Sequence, residues 1–231
     1  MPTSATVDLG HLTLGYRTTG SPDGLPVLLL HGLGEDAADW DRFAAELADR
    51  GRQAIALDLR GHGASSHPGE YSFDLMAGDV LAFLTDRGLT RVDLVGHSMG
   101  GMVAQLLAAR EPHLVRRLVI EDAPPVPVDA PGGDPDPPRR PPEPTPFDWA
   151  AVLAIRVDAR EPDPARWASL RRITAPTLWL SGGPTSHVEP SRSEAAAAAT
   201  PTASLVTIPV GHNIHHDAPE EFAAAVLPHL D

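Results

Sequence analysis

Cysteine is absent from this chain of 231 residues. That excludes disulfides, thiol nucleophiles and thiolate metal sites, while leaving the redox compartment open. There is also no apolar run of about 18 residues, the length a helix needs to cross a bilayer, so no membrane insertion is expected. The opening residues, Met1-Pro2-Thr3-Ser4-Ala5-Thr6, lack the basic start and apolar stretch of a secretory signal, and a cytoplasmic location is the expectation. Positive charge is in deficit: 18 basic against 31 acidic residues leave a net charge of −13. That balance argues against nucleic acid and anionic membrane as partners and reads as a solvated surface. The length suits one large α/β domain over 1–231 and is short for two.

What is present alternates between strand and helix. Val7 to Arg17 alternates apolar and polar residues, which suits an antiparallel hairpin at a sheet edge. Apolar runs at Pro26–Leu30, Ala54–Leu57 and Val92–Val95 read as strands buried on both faces, and Arg117–Ile120, Pro176–Leu180 and Ser204–Ile208 continue the series. Amphipathic stretches at Trp40–Arg50, Phe73–Arg87 and Met102–Arg110 lie between them, and Glu194–Ala199 is good helix sequence. A last helix spans Pro219–Leu230, for which Asp217-Ala218-Pro219-Glu220 predicts an N-cap at Asp217, an early proline and a capping-box acid. This rhythm predicts an α/β fold: a mainly parallel central sheet with helices on both faces.

One segment breaks the rhythm. Proline makes up 11 of the 23 residues from Pro124 to Pro146, a composition that cannot carry a helix or bury a core. A patchy helical pattern follows from Phe147 to Leu170. The division expected is a core of 1–123 and 171–231 with a small proline-rich lid at 124–170, over the sheet end where ligands bind in open α/β sheets.

The chemistry centres on Gly96-His97-Ser98-Met99-Gly100, entered from a strand and left into a helix. A serine at the top of such a turn sits in strained backbone, and glycine on each flank removes the collisions a Cβ would cause. Serine needs an imidazole to take its proton, and the imidazole needs a carboxylate. Of 11 histidines, His212 is chosen, because it follows the last strand in a loop that reaches the same sheet end. His31, His62 and His97 adjoin glycines and read as hydrogen-bonding scaffold. His215 and His216 lie close to His212, but no acid or cysteine set completes a site, so no metal is expected. Two N–H groups must hold the oxyanion: that of Met99, and that of Leu33 in His31-Gly32-Leu33-Gly34. The latter loop is no phosphate cradle, since it lacks the Gly-x-x-x-x-Gly-Lys pattern and has no lysine near it.

Together, His31-Gly32-Leu33-Gly34, Asp58-Leu59-Arg60-Gly61-His62-Gly63-Ala64-Ser65, Gly96-His97-Ser98-Met99-Gly100-Gly101 and Gly211-His212 resemble the α/β-hydrolase-fold superfamily over nearly the whole chain. The resemblance implies Ser98 as nucleophile, His212 as base, and Leu33 and Met99 as oxyanion donors, with no cofactor. The acid departs from the family's commonest pattern, for Ser181-Gly182-Gly183-Pro184-Thr185 holds no Asp after the penultimate strand. A minority of members place it one strand earlier, where this chain has Glu121-Asp122. Neighbouring strand side chains point opposite ways, so only one of these can face His212. Asp122 is taken first, Glu189 second and Glu121 third.

The function this implies is cleavage of a small carboxylic ester, thioester or lactone through an acyl-enzyme, with a small-molecule acyl substrate as partner. Acyl transfer in a biosynthetic pathway, carbon–carbon bond hydrolysis and a non-catalytic binding role on the same fold are the alternatives. Leu33, Met99 and Met102, the residues expected to face the pocket, point to an apolar acyl group.

Overall fold

The side chains of Val27 and Leu29 pack into one apolar layer and those of Leu28 and Leu30 into another, as the two-residue period of a strand buried on both faces requires. This strand, β3 (Pro26–Leu30), lies near the centre of an eight-stranded sheet. The computed structural model describes residues 1–130, 132 and 136–231. Among those residues the sheet runs β1-β2-β4-β3-β5-β6-β7-β8. Strands β1 (Thr3–Asp8) and β2 (Thr13–Thr19) form the expected edge hairpin, and β2 pairs antiparallel with β4 (Gln53–Leu57). From β4 through β3, β5 (Val92–His97), β6 (Val115–Glu121), β7 (Thr177–Ser181) and β8 (Ala203–Thr207), every pairing is parallel.

Helices cover both faces. On one, α2 (Phe73–Asp86) and α3 (Met99–Arg110) bring Met76, Val80, Val103 and Leu107 against Leu28, Leu94 and Ile120. On the other, α1 (Asp41–Asp49) and α8 (Pro219–Leu230) bring Phe43, Leu47, Phe222 and Val226 against Val27, Val95 and Leu180.

The segment after β6 carries α4 (Trp149–Arg160) and α5 (Pro164–Leu170), started by the side chains of Asp148 and Asp163, which accept from Ala150 N and Ala165 N. It is tied to the core: Tyr71 donates its hydroxyl to Asp148 (2.6 Å), and the Phe73 amide donates to Asp158 (2.9 Å). The proline-rich expectation needs one correction. Pro124 and Pro125 are buried, and Trp167 Nε1 donates to the Val126 carbonyl, so the stretch begins packed and only then becomes exposed. Its positions 131 and 133–135 lie outside the described residues.

The predicted cap of the last helix is also corrected. Asp217 ends a separate short helix, α7 (Ile214–Asp217), and α8 starts at Pro219 with Ala218 as its cap residue and no side-chain cap bond. The Asp-x-Pro-Glu pattern is right for a start, but the turn begun at Ile214 places Asp217 in helical backbone.

Candidate active site

Ser98 follows β5 directly, with φ of +50°, and its amide donates to the Glu121 carbonyl at the end of β6 (3.0 Å). The elbow is tight. A Cβ on Gly96 would lie 2.4 Å from the Gly100 carbonyl oxygen, and one on Gly100 would lie 2.2 Å from that of Leu30. Glycine at both positions is therefore a steric requirement.

Three of the predicted residues meet. The Ser98 hydroxyl donates to His212 Nε2 at 2.8 Å, and His212 Nδ1–H donates to Asp122 Oδ2 at 2.8 Å. Asp122 also has a positive φ, +48°, a conformation that costs energy in a non-glycine residue and clusters at functional sites. Its carboxylate accepts from the Gly182 amide (3.0 Å) and from the Ser186 hydroxyl. Burial alone would push this carboxyl up, but the bonds from His212, Gly182 and Ser186 outweigh it and hold Asp122 below the usual carboxylate range. The turn after β7 thus carries no acid and instead supports the acid of β6. Registry explains this, since Glu121 pairs with Leu180 and the residue after each strand meets the other's loop. Sequence reading could not find Gly182 and Ser186, which lie 60 and 64 positions away from Asp122.

The other candidate acids go elsewhere. Glu189 is exposed and precedes α6 (Pro190–Ala199) without making a cap bond. Glu121, fully buried, turns to the opposite face and accepts from both the backbone amide and Nδ1 of His215, each at 2.9 Å. His215 Nε2 donates in turn to Asp39 (2.9 Å). Beside this chain of charges, His97 Nε2–H donates to the His212 carbonyl (3.1 Å), while Nδ1 faces Glu35 (3.4 Å). The loop bearing His212 is therefore held from below by a buried ionic cluster that no local motif announced.

Burial disfavours charge on His215, yet Glu121 and Asp39 overcome it and push its pKa up to about 10. The same opposition raises His97, through Glu121 and Glu35, and lowers Glu121, whose burial is outweighed by His215 and His97. Asp39, His97 and His215 lie close enough to share a metal ion, so an acid does stand beside these histidines where the sequence showed none; their ring nitrogens are engaged by Glu121, Asp39, Glu35 and the His212 carbonyl. The pH dependence follows. Below the ordinary histidine value of 6.5 both folded and unfolded chains hold the His215 proton, and its stabilising effect is complete. Above it the unfolded chain gives the proton up first, so stability falls as pH rises toward 10. Thermal midpoints should decline from pH 6 to pH 10, and by less in His215→Gln. An equal slope in the two proteins would remove His215 from this role.

His31 and His62 are scaffold, as expected. His31 Nε2 accepts from the Leu59 amide (3.0 Å), and His62 Nε2 accepts from the Gly34 amide (3.2 Å). Burial, with nearby His31, pushes His62 down to about 3, so it is neutral and able to accept. The Gly32 amide is likewise engaged, by Glu35 (2.7 Å). On the other side, the Ser98 and Gly100 amides donate to Glu121 and His31 carbonyls. The amides of Leu33 and Met99 sit between these engaged neighbours and donate to no protein acceptor among the described residues.

Both line a cavity of about 510 Å³ together with Ser98, Asp122 and His212. Phe73, Met99, Met102, Ile155 and Val188 supply apolar walls, and the His187 ring lies tilted against that of His212, with centroids 4.1 Å apart. The cavity is less apolar than the sequence suggested, because Arg156, Arg160 and Arg192 also reach its wall.

A mainly parallel sheet that lifts a serine onto a strand-to-helix elbow, opposite a histidine after the last strand, is the architecture of a hydrolase. The chain belongs to the alpha/beta hydrolase fold family, whose model matches residues 26–155. It is 30% identical over 270 residues to the sn-1-specific diacylglycerol lipase ABHD11 of Mus musculus, covering 96% of this chain and 87% of that protein. With the Xenopus laevis protein of the same name it shares 40% identity over 110 residues, 47% of this chain and 35% of that one. Among solved structures, a hydrolase from Pseudomonas aeruginosa superposes with a TM-score of 0.84 at 26% identity, covering 99% of this chain and 98% of the other. Among the described residues, no helix is long and apolar enough to cross a membrane.

Proposed function

We propose that the chain is a cofactor-independent serine hydrolase acting on a carboxylic ester, thioester or lactone. The observation that carries this reading is the unbroken chain Asp122–His212–Ser98, with 2.8 Å at each link. His212 Nε2 takes the Ser98 proton as Oγ bonds the acyl carbon, and the carbonyl electron pair moves onto oxygen. The Leu33 and Met99 amides receive that oxyanion, while Asp122 stabilises the imidazolium. Collapse breaks the bond to the leaving group, which departs with the proton from His212. A water then gives its proton to His212 and its oxygen to the acyl carbon, and the acid leaves as Ser98 is restored. The segment 124–170 acts as a lid, because Val126, Ile155 and Ala159 close one side of the cavity.

A fluorophosphonate probe on the folded protein should label Ser98, and labelling should vanish in Ser98→Ala. The wild type should also hydrolyse p-nitrophenyl esters, with released acid matching released phenol. Absence of both labelling and turnover would return the fold to a binding role.

A further inference from the structure

Arg192 is a cation placed where stability alone would not put one. It stands in the first turn of α6, where the helix dipole disfavours positive charge. Among the described residues its Nε, cut off from solvent, has no hydrogen-bond partner, and the one bond of the side chain runs from Nη2 to the Pro124 carbonyl (3.0 Å). Among the described residues no carboxylate lies within ion-pair distance of it, although Glu189 and Asp122 are near enough to be felt. A part-buried guanidinium is costly, since burial removes part of its hydration and no carboxylate stands at ion-pair distance in its place. Yet this side chain lines the cavity that holds Ser98.

The electrostatic setting agrees. The chain carries a net charge of −13, yet Arg192 places a positive charge at this cavity; Arg156 and Arg160, from α4, also reach the wall but have interactions of their own. Its carboxylates are already committed, Asp122 to His212 and Glu35 to the Gly32 amide. A cation at a cavity in an acidic protein concentrates anions at one place while the rest of the surface repels them. A guanidinium fork fits the oxygens of a carboxylate or phosphate.

We propose that Arg192 forms an anion subsite of this cavity, so that the preferred substrate carries a carboxylate or phosphate group besides the acyl bond that is cleaved. The inference rests on the hydrolase reading of Ser98. Arg192 is a specificity-determining residue here and takes no part in the proton transfers.

The test compares three anionic esters with neutral counterparts. Mono-p-nitrophenyl glutarate against p-nitrophenyl valerate places the anion on the acyl side. Butyrate esters of 4-hydroxybenzoate against phenol, and of glycerol 3-phosphate against glycerol, place it on the alcohol side as carboxylate or phosphate. At least one anionic member should exceed its partner in kcat/KM. Arg192→Gln should lower that ratio by about 10- to 100-fold, the loss of a charge-assisted hydrogen bond. Arg192→Lys should recover part of it. If wild type prefers every neutral partner, or if Arg192→Gln lowers both members equally, the subsite is overturned and Arg192 serves only to hold Pro124. Those outcomes leave the hydrolase reading intact, whereas loss of all turnover together with absent fluorophosphonate labelling would end both.

Discussion

Asp122→Asn is expected to lower kcat on any ester the wild type hydrolyses by about 10⁴-fold, the loss this exchange causes in a serine protease triad, while leaving the fold intact. The shape of the side chain is preserved, but three donors converge on the native carboxylate: His212 Nδ1–H, the Gly182 amide and the Ser186 hydroxyl. Asparagine offers one acceptor oxygen, so some of these donors lose their partner. More important, in the proposed mechanism a neutral amide gives no electrostatic support to the imidazolium formed as Ser98 attacks. The interaction is needed in the transition state, so kcat should fall while KM changes little. Active-site titration and steady-state kinetics at pH 7 would measure it. Retained activity, with loss instead in Glu189→Gln, would transfer the acid to Glu189.

That Glu121 and Asp122 turn to different partners was legible because it depends on a local rule. Two neighbours at a strand end face opposite sides, and the end of β6 obeys this, sending Glu121 to His215 and Asp122 to His212. The elbow at Ser98 was legible from its glycines, and the central strands from apolar runs that are buried on both faces, whereas the edge strand β8 is mostly exposed. What escaped was set by pairing between distant segments. The support from Gly182 and Ser186 depends on the register of β6 against β7. The three cavity arginines belong to α4 and α6, and nothing in the helical period of either says that those faces meet one cavity. The cap predicted at Asp217 failed for a local reason, since the sequence pattern has no term for the short helix preceding it.

Glu121→Leu supplies the complementary result: a loss of stability of about 3–5 kcal/mol, the cost of breaking a buried ion pair on one side. Glu121 is fully buried, and it accepts from the amide and ring of His215. Leucine fills comparable space but leaves the His215 imidazolium with Asp39 as its remaining carboxylate and leaves the His215 amide without its acceptor. The effect should reach the active site through two short stretches of chain. Glu121 precedes Asp122 directly, and His215 lies three residues beyond His212, whose carbonyl is held by His97. Urea denaturation should show the midpoint falling at unchanged m-value. Fluorophosphonate labelling per folded molecule should slow at 25 °C and recover partly on cooling or with a stabilising osmolyte. Asp122→Asn should do the reverse, sparing the urea midpoint by comparison and resisting rescue. If Glu121→Leu instead kept its stability while losing kcat as Asp122→Asn does, Glu121 would belong to the proton relay and the division of labour across β6 would be wrong.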